Sequence, residues 1–326
     1  MKICIAGIGA IGSYLAARLS LTSVQLSILV RPGKVDAFRE KGISLHERSG
    51  EVRVAFPRVF SSGDAAEPQD WIFICAKAFA VPEIVASLGG LLGPSTNVIF
   101  VQNGVPSWYA QGRWNSNARL DPDGVVMSNV AQSQAVGCVA YANVLNEGAG
   151  VARHIEGDTF VIGRPGGSDN NSLKRLAEVM QEASIAAKIS DNIEQEMWAK
   201  LWGSVAFNPI SALTGATLDR IILEPSTRPL VVAMMRETQE IARLLGTEFS
   251  ITVEQRLEAG ARAGAFKTSM LQDIEAKRPL EIDAIIGAVS DAGHALGVPC
   301  TSIDAVLALL TQRADTLGLR SNVDRS

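Results

Sequence analysis

The chain has 326 residues, 47% of them hydrophobic and 20% charged, with a formal net charge of -4. That length and apolar content suffice for two domains with cores of their own. The mild acidity, with no dense Lys/Arg block, argues against a nucleic-acid partner, and no apolar run approaches the length of a membrane span, so the expected partners are small molecules and the expected location is the cytoplasm.

In chain order, KICIAGI reads as a strand, IGSYLAARLS as an amphipathic helix, and VQLSILV and WIFICAKA as strands. PEIVASLGGLL follows as a helix and NVIFVQN as a strand. This alternation is the mark of a parallel, doubly wound sheet. Further strands are expected at GCVAYANVLN, GVARHIEG and TFVIGR, with a helix at NSLKRLAEVMQEAS leading to AAKIS. From residue 191 five segments carry helical periodicity, from DNIEQEMWAKLWGSVAF to TSIDAVLALLTQRADTLG, with Gly and Pro between them. The expected fold class is α/β: an N-terminal Rossmann-type doubly wound sheet over 1–190 and a C-terminal all-helical domain over 191–326. RPGGSDNN and the polar tail RSNVDRS are weakly linker-like.

The stretch GIGAIG joins the first strand to the first helix. There Gly7 permits a tight turn, Gly9 lets a pyrophosphate approach the backbone, and Gly12 lets helix and strand pack closely. With Ala10 and Ile11 these residues are the expected cofactor-binding turn, the helix N-terminus offering N–H groups and a positive dipole end to phosphates. A purely structural glycine turn is the alternative. A carboxylate at the end of the second strand would suit NAD; Arg31 stands there, with Lys34 behind it, which suits the 2′-phosphate of NADP.

Lys200 lies among Trp198, Ala199, Leu201 and Trp202, in a segment that reads as interior although an ammonium is costly to bury unpaired. Asp191 and Glu194 fit a capping box that starts its helix. Lys200, Ser204 and Asn208 are four residues apart and share one helix face, and Pro209 predicts an end or kink at Asn208. The same stripe also suits a snorkelling lysine on a solvent face. In KTSMLQDIEAKRPLEIDAIIG, Ser269 and Glu281 are candidates, with Asp273, Glu275 and Asp283 as competing solvated charges. Periodicity does not choose among them. His46, His154 and His294 have no metal-ligand spacing and are assigned structural or surface roles. Cys4, Cys75, Cys138 and Cys300 are isolated in apolar or small-residue surroundings, as buried free thiols are.

Taken together, GIGAIG, CAKAF with Lys77, QNGV with Asn103, WAKLWGSVAFNPISALTG and TSMLQDIEAKRPLEIDAIIG resemble the ketopantoate reductase family over nearly the whole chain. The resemblance implies an NADPH-dependent 2-oxoacid reductase, with a Rossmann domain joined to a helical domain and substrate held in the cleft between them. By position Lys200 would be the catalytic lysine and Glu281 the family's glutamate. Asn103, Ser204, Asn208 and Ser269 would be polar substrate or cofactor contacts, and Lys77 and Arg31 would lie near the cofactor. Two positions depart from the family: Ser204 and Phe266 each stand where an asparagine is usual. The insertion-like segment after Asn103 carries Trp108, Tyr109 and Trp114, which either wall the substrate site or pack a surface loop. These departures leave the reaction type firmer than the substrate. The alternatives are a D-2-hydroxyacid dehydrogenase of the same fold acting on a bulkier 2-oxoacid, and a non-catalytic NADP-binding sensor. The apolar runs VVAMM and AVLALL suit a homodimer or the helical domain's own core.

Overall fold

The structure, a computed structural model, describes residues 1–61, 66–110, 112–114, 117–167 and 171–321. Part of the linker-like RPGGSDNN, the tail beyond Ser321 and residues 111, 115 and 116 of the segment after Asn103 lie outside the described residues.

In chain order the strands are β1 (Lys2–Ala6), β2 (Gln25–Leu29), β3 (Ile43–His46), β4 (Val52–Ala55), β5 (Arg58–Phe60), β6 (Trp71–Ile74), β7 (Asn97–Phe100), β8 (Ala135–Gly148), β9 (Val151–Gly163) and β10 (Ala186–Ile189). The first helices are α1 (Ala10–Leu19), α2 (Val35–Lys41), α3 (Val81–Ala86), α4 (Ser107–Ala110), α5 (Asn117–Leu120), α6 (Val125–Asn129) and α7 (Asn171–Glu182). They are followed by α8 (Ile193–Thr214), α9 (Leu218–Leu223), α10 (Arg228–Leu244), α11 (Val253–Arg262), α12 (Ser269–Glu275), α13 (Ala288–Ala295) and α14 (Thr301–Leu317). A π-helical turn, Asp283–Gly287, leads into α13. The chain forms two compact units: Met1–Gln102 with Gly124–Glu196, and Asn103–Asp123 with Met197–Ser326.

The first unit is built on one sheet of order β4-β3-β9-β8-β7-β6-β1-β2-β5, with β10 beside β9. From β5 to β8 all neighbours are parallel, as the alternation of short apolar runs and helices predicts. The sheet as a whole is mixed, because β8 and β9 pair antiparallel, as do β3 and β4. The two strands expected at GVARHIEG and TFVIGR are one, β9. Gly157 and Asp158 read as a break in sequence, yet the strand passes through them where the β8–β9 register shifts, and such bulges add twist without ending the pairing. The core packs Ile3, Ile5, Phe73 and Ile99 of the central strands against Tyr14, Leu15 and Leu19 of α1, all fully buried.

Just before α8, the cap sits one residue later than the expected Asp191/Glu194 box. Asn192 Oδ1 accepts from the N–H of Gln195, and Glu194 accepts from the N–H of Gly166. In the second unit α8 runs on through Pro209 to Thr214 rather than ending at Asn208. Buried residues on both sides of the proline, Val205, Ala206, Ile210 and Ala212, hold the helix in place and override the local preference. The core here is formed by Trp198, Trp202, Val231, Met234, Met235, Ile286 and Leu310. Trp202 donates its indole N–H to the Met235 carbonyl and stacks on Phe249 at 4.2 Å. Most of VVAMM thus fills its own unit, whereas Leu309 of AVLALL is exposed.

Candidate functional site

In the first unit the turn after β1 is shaped by its glycines. Gly7 has φ +95, and a Cβ there would lie 2.8 Å from the Cys75 carbonyl oxygen; a Cβ at Gly12 would lie 2.1 Å from the Gly7 carbonyl oxygen. No side chain could be added at either position without moving backbone. Around Gly9 the space a Cβ would enter is open to 4 Å. No side chain caps α1 and no acidic residue stands in its first turn. The N–H groups at Ala10, Ile11 and Gly12 and the dipole end therefore face a space suited to an anion, and the turn fits a dinucleotide pyrophosphate.

Arg31 follows β2 and is exposed, as is Lys34. Its Nη2 lies 3.3 Å from Glu83 Oε2 in the first turn of α3, a partner that the local sequence around Arg31 gives no hint of. Lys77 follows β6, is half-buried, and places its ammonium 6.0 Å from the centroid of the Phe79 ring.

In the second unit α8 presents the polar stripe that its spacing predicts. Trp198, Leu201, Trp202, Val205, Ala206 and Phe207 are buried, whereas Lys200, Ser204 and Asn208 are half-buried on the remaining face. The Lys200 ammonium donates to Asn103 Oδ1 at 2.9 Å. Ser204 turns its hydroxyl back onto its own helix, donating to the Lys200 carbonyl at 3.2 Å. That bond uses the only proton of the shorter residue, leaving its oxygen as an acceptor.

Asn103 is positioned by its chain neighbours. Gly104 has φ +79, and a Cβ there would lie 2.4 Å from the Ala284 carbonyl oxygen. That same oxygen accepts from the N–H of Val105 at 2.7 Å. Ala284 belongs to the π-helical turn, and the widened turn presents this carbonyl to a neighbouring segment. Farther along, Arg119 donates to Asp283 at 2.7 Å and to both oxygens of Asp291, at 2.8 and 3.1 Å. The hydrogen bond to Asp291 raises the guanidinium above its ordinary range; burial opposes this, and the bond to Asp283 and the two charges reinforce it. Trp108, Tyr109 and Trp114 are buried, and the Trp198 indole donates to the Tyr109 hydroxyl at 2.8 Å. These three aromatics pack among buried side chains of the second unit.

The carboxylates that periodicity left unresolved are separated by their partners. Asp273, expected on the surface, is buried and paired with Arg278, Glu275 pairs with Lys267 on the surface, and Asp283 pairs with Arg119. Glu281 is buried and stands two residues before the π-helical turn, behind Ile282. Ser269 opens α12 and is exposed, behind Thr268, whose hydroxyl caps the helix. Phe266 is also exposed. His46, His154 and His294 lie beside Glu147, Glu47 and Asp304 respectively, and the four cysteines are buried thiols outside any disulfide. Among the described residues no group of His, Cys, Asp and Glu could hold a metal ion, and no helix is long and apolar enough to cross a membrane.

Two family models match the chain: Ketopantoate reductase PanE/ApbA over residues 3–167 and Ketopantoate reductase PanE/ApbA C terminal over residues 192–314. A 2-dehydropantoate 2-reductase of Mesorhizobium japonicum is 39% identical across 98% of this chain and 100% of its own. Among solved structures, a candidate ketopantoate reductase from Ralstonia solanacearum MolK2 is 34% identical, with a TM-score of 0.91 over 97% of this chain and 98% of that one. The 2-dehydropantoate 2-reductase from Methylococcus capsulatus is 25% identical, with a TM-score of 0.84 over 99% of each chain.

Proposed function

The chain belongs to the ketopantoate reductase family, and from that premise we propose that it reduces a 2-oxoacid, 2-dehydropantoate first among them, to the 2-hydroxyacid at the expense of NADPH. The observation that carries the reading is the Lys200 ammonium held by Asn103 Oδ1, on the half-buried stripe that Lys200 shares with Ser204 and Asn208.

When bound, the reduced nicotinamide supplies a hydride to the keto carbon. The Gly7–Gly12 turn and the start of α1 hold the pyrophosphate, Arg31 binds the 2′-phosphate, and Lys77 lies near the cofactor. Lys200 hydrogen-bonds the carbonyl oxygen, stabilises the charge that develops there and gives up the proton that makes the hydroxyl. Asn103 fixes the direction of its ammonium. Glu281 is the second catalytic residue of this reading, a buried carboxylate shortly ahead of the π-helical turn. Asn208 and Ser269 are assigned to the substrate, and the acceptor oxygen of Ser204 borders the same helix face.

The test is NADPH oxidation by the purified protein with 2-dehydropantoate, followed by branched and aromatic 2-oxoacids. Selective turnover of 2-dehydropantoate is the expected outcome. Stronger turnover of a bulkier acid would establish instead a D-2-hydroxyacid dehydrogenase, and no turnover of any 2-oxoacid would leave an NADP-binding sensor.

A further inference from the structure

The residue at the end of β2 decides how a dinucleotide-binding turn treats the ribose 2′ position. A carboxylate there accepts a hydrogen bond from the 2′-hydroxyl of NAD, whereas a guanidinium there pairs with the 2′-phosphate of NADP. This chain has both. Arg31 comes from the end of β2, and the carboxylate arrives from elsewhere: Glu83 Oε2 lies 3.3 Å from Arg31 Nη2. Glu83 stands in the first turn of α3, behind β6, and the sheet order is β6-β1-β2. The pair thus joins the segments after β6 and β2 on either side of β1, whose end opens into the glycine turn.

We propose that Glu83 sets the cofactor selectivity of this protein, tempering the preference for NADPH and admitting NADH as a second reductant. The inference rests on the cofactor reading above and adds to it a residue that reading does not use. Both side chains are largely exposed, 75% for Arg31 and 65% for Glu83. An ion pair so exposed is weak and opens readily to a cofactor. When a 2′-phosphate enters, Arg31 exchanges the carboxylate for it, and the displaced Glu83 charge remains close enough to repel it. When a 2′-hydroxyl enters, Glu83 accepts its hydrogen bond and Arg31 stays paired. The first cofactor is penalised by Glu83 and the second is recognised by it.

The experiment titrates the purified protein with NADPH and with NADH in the absence of substrate, following the fluorescence of the reduced nicotinamide. Wild type, Glu83→Gln and Arg31→Gln are compared. The wild type binds both cofactors, and Glu83→Gln raises the ratio of NADPH to NADH affinity by about threefold to tenfold. The change shrinks at high salt, where exposed charges are screened. Arg31→Gln shifts the ratio the other way. Binding of both cofactors with a ratio untouched by Glu83→Gln overturns the assignment of Glu83 and leaves the proposed function standing. Wild-type affinity for NADPH alone overturns it as well. Binding of neither cofactor overturns the proposed function, and this inference with it.

Discussion

The Lys200 ammonium donates to the Asn103 amide oxygen across 2.9 Å, joining residues 97 positions apart in the sequence. Lys200 stands on α8, and Asn103 is held through Gly104 and Val105 against the Ala284 carbonyl. If Lys200 is the proton donor, Lys200→Ala lowers kcat by about 100-fold to 10,000-fold. NADPH affinity, read by fluorescence titration, stays within about twofold because no cofactor phosphate contact is assigned to this residue. Turnover at the wild-type rate in that variant sinks the mechanism.

Arg119 ties its segment to two carboxylates of the same unit, and its loss removes the guanidinium that Asp283 and Asp291 share. Arg119→Gln is expected to cost about 1–2 kcal/mol, a charged hydrogen-bond cluster discounted for partial exposure. Thermal unfolding registers this as a drop in Tm of a few degrees, about 2–4 °C per kcal/mol for a domain of this size class. A double-mutant cycle with Asp291→Asn separates the shared contact from independent effects.

Ser204 sits one turn beyond Lys200 with its hydroxyl hydrogen turned onto the Lys200 carbonyl. Ser204→Asn replaces an inward-turned hydroxyl with an amide of longer reach. If this position reads the substrate, the ratio of kcat/KM between 2-dehydropantoate and a bulkier 2-oxoacid moves by about tenfold or more, in the range expected for one polar contact in a binding site. A substrate profile identical to that of the wild type removes Ser204 from the substrate contacts.

Glu47 is nearly enclosed by Arg18, Arg53 and His154. Burial acts to raise the pKa of its carboxyl, but the hydrogen bond and charge of Arg18, with the bonds from His154 and Arg53, outweigh it and hold the carboxyl below its usual range. A depressed folded-state pKa stabilises the fold above the unfolded-state value, near about 4.3, and that contribution is lost as the pH falls through the folded-state value. Glu47→Gln is therefore less stable than the wild type at neutral pH, and the gap in Tm narrows on acidification below about pH 4. A gap that is constant with pH contradicts this account.

The thiols are all buried, and burial pushes Cys4 up to about 12 and Cys300 up to about 11, while Cys75 stands well above its ordinary value. A thiolate is the reactive form. A disulfide reagent at mildly alkaline pH should modify the native protein slowly and titrate all 4 cysteines once denaturant is added. Rapid stoichiometric labelling of the native protein counts against this burial.

Regular periodicity made the parallel strands and the α8 stripe legible. The positions that period assigned to one face, Lys200, Ser204 and Asn208, are the half-buried ones among buried neighbours. Local signals misled where tertiary packing overrode them: Pro209 does not stop α8, and Gly157 does not interrupt β9. The short β3, β4 and β5 are not legible because each is only three or four residues long, so the alternation in Ile43–His46 and Val52–Ala55 is too brief to stand out. What no local rule reaches is pairing at long range. Arg119 meets carboxylates 164 and 172 residues away, and Glu83 meets Arg31 from 52 residues away. In each case charge type was visible in the sequence but the partner was not.

The π-helical turn at Asp283–Gly287 has a consequence for how this chain can vary. Such a turn is the trace of one residue more than an α-helix would hold. Deleting a single residue there would return the segment to ordinary winding and leave Glu281 and α13 close to their present faces, because five residues bonded i→i+5 turn about as far as four bonded i→i+4. Ala284 would no longer present its carbonyl to Val105. Loss of one residue here is therefore absorbed without turning the flanking faces, and what it removes is the local contact between Ala284 and Val105.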